Sequence, residues 1–431
     1  MSGATVDRKE ATRADGEPRG VAALALVAIL TAIYSVSQFL RNSIGVIAPD
    51  LARELGLGGT DLGLLSSAFF FAFAAAQIPV GIAIDRYGPK RVMLVCAAIT
   101  VTGALLFAAA TSAGVLVVSR MLLGLGCSSF FMGPLAIYAR VFPPERFGII
   151  TGVQLGAGSI GTLLATAPLA ASAALVGWRA SFAAVALFAA AAGLLVAAGV
   201  RAGTRPVAGG ESWSEALAGV REAIAMPSFW PVFLVHATGY AVFGTVVGLW
   251  AGPWLTDRFG FGLEGRGTAL LAASLAQVAA LFLWGASDRW LGGYKRPVLL
   301  GGTATCLCLA VAVLMPLGAT GARLWLVGLG ASVAFTPMVM AHGKSLFPPH
   351  LTGRGITLTN IGTMGGVFVM QTLTGMLMDR FGRTAAGGYP AEAYRLVFVL
   401  LAIALGAALV SYAFARDPHP CRQRGMGLRK R

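Results

Sequence analysis

One arginine makes the strongest chemical demand in this sequence. Arg41 lies in an otherwise apolar run from about Val21 to Pro49, about 13 Å along a helix axis from Asp50. A bare guanidinium at such depth in a bilayer costs at least about 2.5 to 3.5 kcal/mol. Tyr34, Gln38, Arg41 and Gly45 follow at steps of four, three and four, which lays them along one helix face, with Ser37 and Asn42 flanking it. A polar stripe of this kind belongs against water or the interior of a bundle. Arginine presents a rigid fork of donors matched to carboxylate or phosphate. All 18 carboxylates fall outside the apolar runs, so the countercharge for Arg41 can be the anionic group of a solute. The competing reading is that Arg41 snorkels to the surface or hydrogen-bonds to backbone carbonyls.

The other interior polar groups make weaker claims. Arg120 sits about two turns into the fourth apolar run and either reaches for carbonyls or takes part in coupling. His236 and His342 are the residues at depth that titrate near physiological pH, so either can carry a proton, although a lone histidine in an apolar helix is more often a hydrogen-bonded structural residue. Tyr240 and Asn360 offer neutral contacts to a solute, as do Gln277 and Gln371. Enzyme chemistry finds no support: four scattered histidines show no metal-ligand spacing, no nucleophile–base set is visible, and no glycine loop with a lysine cradles phosphate. No cofactor and no metal are expected. The five cysteines read as small apolar fillers, with Cys421 in the tail.

The elements that must position these residues follow from composition. Of 431 residues, 57% are hydrophobic and 12% charged, about half the charge fraction that wets a soluble surface. A span needs about 20 apolar residues, and runs of that length open after Arg19, Asp61, Arg91, Arg120, Arg146 and Arg179, then after Glu222, Arg266, Arg296, Arg323, Arg354 and Arg395. The chain therefore divides into a tail (1–20), six spans (21–200), a charged linker (201–227) in which 212–225 forms a short surface helix, six more spans (228–415) and a basic tail (416–431). Lys and Arg fall on the side of the termini by about three to one, which places both termini in the cytoplasm and accounts for the net charge of +15 without nucleic acid.

The halves repeat each other. Gly124-Leu125-Gly126 inside a span ends in Phe142-Pro143-Pro144 at its exit, and Gly328-Leu329-Gly330 ends in Phe347-Pro348-Pro349. Asp85-Arg86 followed by Lys90 and Arg91 pairs with Asp288-Arg289 followed by Lys295 and Arg296, and the offsets are 203 to 205 residues. Gly81, Asp85, Arg86, Gly88, Lys90 and Arg91 have the spacing of the loop between helices two and three in the major facilitator superfamily, and Arg120, Gly124 and Gly126 match that family's fourth-helix pattern. The chain resembles this family over essentially its whole length. The resemblance implies an all-α membrane protein with twelve transmembrane helices in two pseudo-symmetric six-helix bundles, a cavity lined by spans one, four, seven and ten, and alternating access.

In the family the loop acts as a latch between halves, a role carried here to Gly81, Asp85, Arg86, Gly88, Lys90 and Arg91 and, in the degenerate second copy, to Asp288 and Arg289. In physical terms Gly88 permits a sharp turn, Asp85 can accept from a helix N-terminus or from Arg86, and the basic residues anchor the loop. The pairs Gly152/Gly156 and Gly362/Gly366 set small residues on one helix face as packing contacts. The segment 40–49 also resembles the first helix of organophosphate:phosphate antiporters, where an arginine precedes a proline by eight residues; the second arginine of that group has Gly244 in its place here, aligned on Trp250.

The expectation is a monomeric secondary transporter of a small organic anion in a bacterial inner membrane. Arg41 binds the anionic group, with Tyr34, Gln38, Asn42, Tyr240 and Asn360 around it and a proton or an exchange anion as coupling partner. The alternatives are proton-driven efflux of an amphipathic compound such as a drug or siderophore, and a non-transporting sensor on the same scaffold.

Overall fold

The computed structural model describes residues 20–200, 213–348, 351–385 and 387–417. Most of both tails, Cys421 included, and the first part of the 201–227 linker lie outside the described residues. Among the described residues the regular elements are all helices, and the linker helix runs Trp213–Ala225.

Among the described residues, eleven helices are long and apolar enough to cross a membrane. The longest stretch, Glu145–Gly199, contains two crossings, because the helix Pro144–Leu164 ends at Ala165 and the chain breaks again at Gly177, whose φ of 81° suits only glycine. Twelve crossings result. The second span is Gly59–Tyr87, the third Pro89–Ala108, the eighth Leu263–Gly285, the ninth Lys295–Leu314, the eleventh Thr352–Met378 and the twelfth Ala391–Ala413. The end of the bundle at Val21 and Ala413 is the termini end; the opposite end, at residues 50–58, 259–262 and 379–390, is the far end.

Spans one, four, seven and ten share an interruption at mid-depth. The first is Val21–Asn42 continued by Ile44–Leu55, and the fourth is Ala113–Cys127 continued by Ser129–Val141. The seventh runs Phe229–Thr245, passes through a π-helical turn at Val246–Trp250 and resumes as Ala251–Phe259; the tenth is Ala319–Val333 then Thr336–Leu346. Each carries a proline close beyond or within the interruption: Pro49, Pro134, Pro253 and Pro337. Proline has no N–H and crowds the carbonyl four residues back, so the helix loosens there. Pro79 passes without a break in the second span, so proline contributes to these interruptions but does not dictate them. A loosened helix at mid-membrane is tolerated where it lines a protein interior rather than lipid.

Glycine sets how closely the halves approach. From mid-depth toward the far end, a Cβ on Gly45 would collide with the carbonyl oxygen of Val247, and one on Gly252 with the carbonyl oxygen of Gly45, so spans one and seven cross backbone to backbone. Spans two and eleven do the same, with a Cβ on Gly63 falling 2.7 Å from Gln371 O and 2.9 Å from Gly375 Cα. Gly362 and Gly366 pack within one half, against Phe233 and Ala237. The expectation for Gly152 and Gly156 is corrected: they face open space or the tip of Phe282, and the fifth span instead approaches the first through Gly158 and Gly161, against Tyr34 and the Ser35 carbonyl.

Candidate functional site

Arg41 lies two residues before the interruption in the first span, at the centre of the bundle. Its guanidinium sits 5.0 Å from the centroid of the Phe73 ring on the second span, and the phenols of Tyr34 and Tyr240 lie near it. Its Nε is buried and has no hydrogen-bond partner. Among the described residues no carboxylate pairs with it. The π-face of Phe73 offsets part of the cost of a buried cation, about 0.5 to 2 kcal/mol.

The spans also hold polar groups with unspent capacity. Gln38 Oε1, both amide atoms of Gln154, His236 Nδ1, Thr245 Oγ1 and Gln371 Oε1 are buried and unpartnered. Such groups are costly in a finished core and common where a ligand completes the set. Tyr34 is held in place by Phe131, with centroids 5.3 Å apart, and by Gly158 behind its ring.

Several residues singled out from the sequence have other duties. Asn42 donates to Gln38 O at 2.9 Å and to Thr162 Oγ1 at 3.4 Å, tying spans one and five. Asn360 donates to Gln77 Oε1 at 3.3 Å across the two halves. Arg120 is fully buried; it donates to Leu40 O at 2.6 Å and Leu65 O at 3.4 Å, and stacks 4.7 Å above Phe69. Gly124 lies against the Phe69 backbone and Gly126 against Thr100 and Cys96, so this pattern packs the fourth span on the second and third. His342 is remote from the seam: it bonds Tyr412 Oη at 2.6 Å and Arg416 O at 2.7 Å, joining spans ten and twelve.

The loop residues divide in the same way. Gly88 turns the chain with φ 85° and Gly292 does so with φ 66°. Lys90 donates to the carbonyls of Ala197 (2.7 Å) and Val200 (2.5 Å), capping the C-terminus of the sixth span, where a cation opposes the helix dipole. Lys295 repeats this on the twelfth span through Ala415 O at 3.1 Å. The expectation that Asp85 accepts from a helix or from Arg86 is corrected: Asp85 is exposed with no partner among the described residues, and Arg86 lies over the Tyr87 ring at 5.5 Å. Gly81 borders open space, Arg91 and Arg289 are exposed, and Asp288 is engaged.

The far end carries a network that sequence reasoning missed. Arg266 on the eighth span, buried, donates to Asp50 at the end of the first at 2.5 Å and to Thr256 Oγ1 at 3.0 Å. Asp379 accepts from the backbone N–H of Gly59 at 2.6 Å and of Thr60 at 2.8 Å. Tyr389 donates its hydroxyl to Asp379 at 2.8 Å and its N–H to Asp257 at 2.8 Å, while Arg383 donates to Leu57 O at 2.5 Å. Burial raises the pKa of Asp379, but the hydrogen bonds from Thr60, Tyr389 and Gly59 outweigh it and hold the carboxyl below its ordinary range. Burial and the Asp379 carboxylate together push the Tyr389 phenol up to about 12. A signal for this network was present: Asp-Arg-aromatic-Gly occurs not only at 85–88 but also at 257–260 and 379–382.

The sequence signature of the Major Facilitator Superfamily matches residues 30–370. The chain belongs to the major facilitator superfamily. A solved bacterial homologue of the human lysosomal transporter Spinster superposes with a TM-score of 0.75 at 18% identity, covering 92% of this chain and 98% of that one, which shows the shared fold. A probable sulfoacetate transporter of Cupriavidus necator is 30% identical over 157 residues, 36% of either chain. A chloramphenicol resistance protein of Streptomyces lividans is 27% identical over 402 residues, 91% of this chain and 95% of that one. The protein is thus a multi-pass membrane transporter and not an enzyme.

Proposed function

We propose that this superfamily member carries a small organic anion by alternating access, with Arg41 receiving the anionic group. The observation that carries the reading is a mid-membrane guanidinium whose Nε is buried without a partner and which has no acid partner among the described residues. A monovalent carboxylate or sulfonate suits it best, because one arginine supplies one bidentate contact and the position of a second arginine is Gly244. Tyr34, Tyr240, Gln38 and Gln154 then hold the neutral part of the solute. Both termini lie in the cytoplasm of a bacterial cell, the far end faces outward, and the lysine caps at the termini end sit at the headgroups. The partial match to a probable sulfoacetate transporter supports an anionic cargo. The longer match to a chloramphenicol resistance protein favours a second reading, outward movement of an amphipathic compound from the same cavity.

Uptake into proteoliposomes of a panel of radiolabelled carboxylates, sulfonates and phosphate esters, with and without a pH gradient, separates the two. Arg41→Ala should abolish anion flux at unchanged folding. Arg41→Lys, which keeps the charge but loses the fork, should retain a small fraction. Undiminished anion flux in Arg41→Ala refutes the proposal.

A further inference from the structure

The second and eleventh spans run antiparallel, so the C-terminus of each lies beside the N-terminus of the other. Both end in the same eight-residue pattern, Gly-x-x-x-Asp-Arg-aromatic-Gly: Gly81 to Gly88 at the termini end and Gly375 to Gly382 at the far end. At the far end the pattern's carboxylate is in use. Asp379 crosses from one half to the other and caps the first turn of the second span through Gly59 N and Thr60 N at 2.6 and 2.8 Å. Two N–H groups that a helix leaves unsatisfied are thereby filled, and an anion meets the positive end of the helix dipole. Neighbouring groups hold the carboxylate in register: Tyr389 donates to it, and Arg383 anchors the same loop on Leu57 O. At the termini end the matching carboxylate, Asp85, is exposed and unpartnered among the described residues.

We infer that Asp379 is a far-end latch, a second working copy of the loop device, whose bond to the second span is made when the far end is closed and broken when it opens. The halves touch there through backbone-close glycine crossings, which resist sliding by small steps, so the Asp379 cap is either fully made or lost. Its neighbours divide the work. Asp61 serves the adjacent donor, accepting from Gly58 N at 2.9 Å, and so holds the turn in shape when Asp379 leaves. Asp257 keeps the loop on its own half through Tyr389 N at 2.8 Å and Tyr394 Oη at 2.6 Å, so that opening carries loop and carboxylate away together. The inference concerns conformational equilibrium and stands whatever the cargo of the Arg41 site.

The test is hydrogen–deuterium exchange on the full-length protein in nanodiscs, comparing wild type with Asp379→Asn and Tyr389→Phe. Losing the charge at the helix terminus and one charge-assisted hydrogen bond should move the population about tenfold toward far-end opening. Exchange should then rise at 50–62 and 375–390 and fall at 81–91, because opening one end closes the other. Tyr389→Phe, which leaves the carboxylate in place, should do the same to a smaller extent, and the exposed Arg380→Gln should not. A purely structural cap would raise exchange at the far end without protecting the termini end. That result, or no change in either variant, overturns the inference.

Discussion

Gly45→Ala is the smallest change that should alter the transport cycle. A Cβ there would lie roughly 1 Å inside ordinary contact with Val247 O, and 3.1 and 3.2 Å from Gly248 C and Val247 C. All three are backbone atoms of the seventh span, so no rotamer change relieves them and the two spans must part. Overpacking of this kind costs about 1 to 3 kcal/mol. The helix-propensity gain of alanine over glycine, about 1 kcal/mol, applies whether the far end is open or closed and so cancels from that equilibrium. The clash acts only in the closed form, which shifts the balance toward opening by roughly 5- to 150-fold. Spin labels on Thr111→Cys and Thr320→Cys, exposed positions at the far end of each half, report the change as a longer distance distribution. Gly406→Ala, which meets nothing within 4 Å, is the control and should leave the distribution unmoved. An unchanged distribution in Gly45→Ala refutes the backbone-crossing account of closure.

Two further outcomes follow from contacts outside the Arg41 pocket. The Asp379 pKa is lower in the closed form than after release, so its contribution is complete above the ordinary aspartate value of about 3.9 and fades as pH falls below it toward the depressed value; far-end closure measured by the same labels should be flat from about pH 7 to about pH 5, and a midpoint near pH 6 contradicts the assignment. Arg120→Leu should lower thermal stability by about 2 kcal/mol, because the Leu40 and Leu65 carbonyls lose a charged donor while the desolvation cost of the cation is relieved; a variant with unchanged Tm but lost anion affinity would instead place Arg120 in the binding site.

Much of the scaffold was legible because a bilayer reads sequence directly. Length and apolarity decide which segments cross, and so the linker helix and the twelve crossings could be marked from the positions of charged residues alone. The polar stripe through Tyr34, Gln38 and Arg41 was visible for the same reason, since helical periodicity is local. The duties of Asn42, Arg120 and His342 were not, because each is set by a carbonyl or hydroxyl dozens of residues away in the chain. Asp379 stood at a span boundary like many other carboxylates, and only the approach of the second span's first turn gives it a role.

Glycine illustrates where the boundary falls. Gly152 and Gly156 have the spacing of a packing pair yet face open space or the tip of Phe282, whereas Gly45, with no glycine four residues away, meets the seventh span backbone to backbone at Val247 and Gly252. Composition and periodicity determined that this chain is a twelve-span bundle with an arginine at mid-depth, because burial in lipid is a property of each segment by itself. Which glycines touch, which carboxylate closes an end and which polar groups surround Arg41 were decided by tertiary packing, because those depend on the faces that two distant helices turn toward each other.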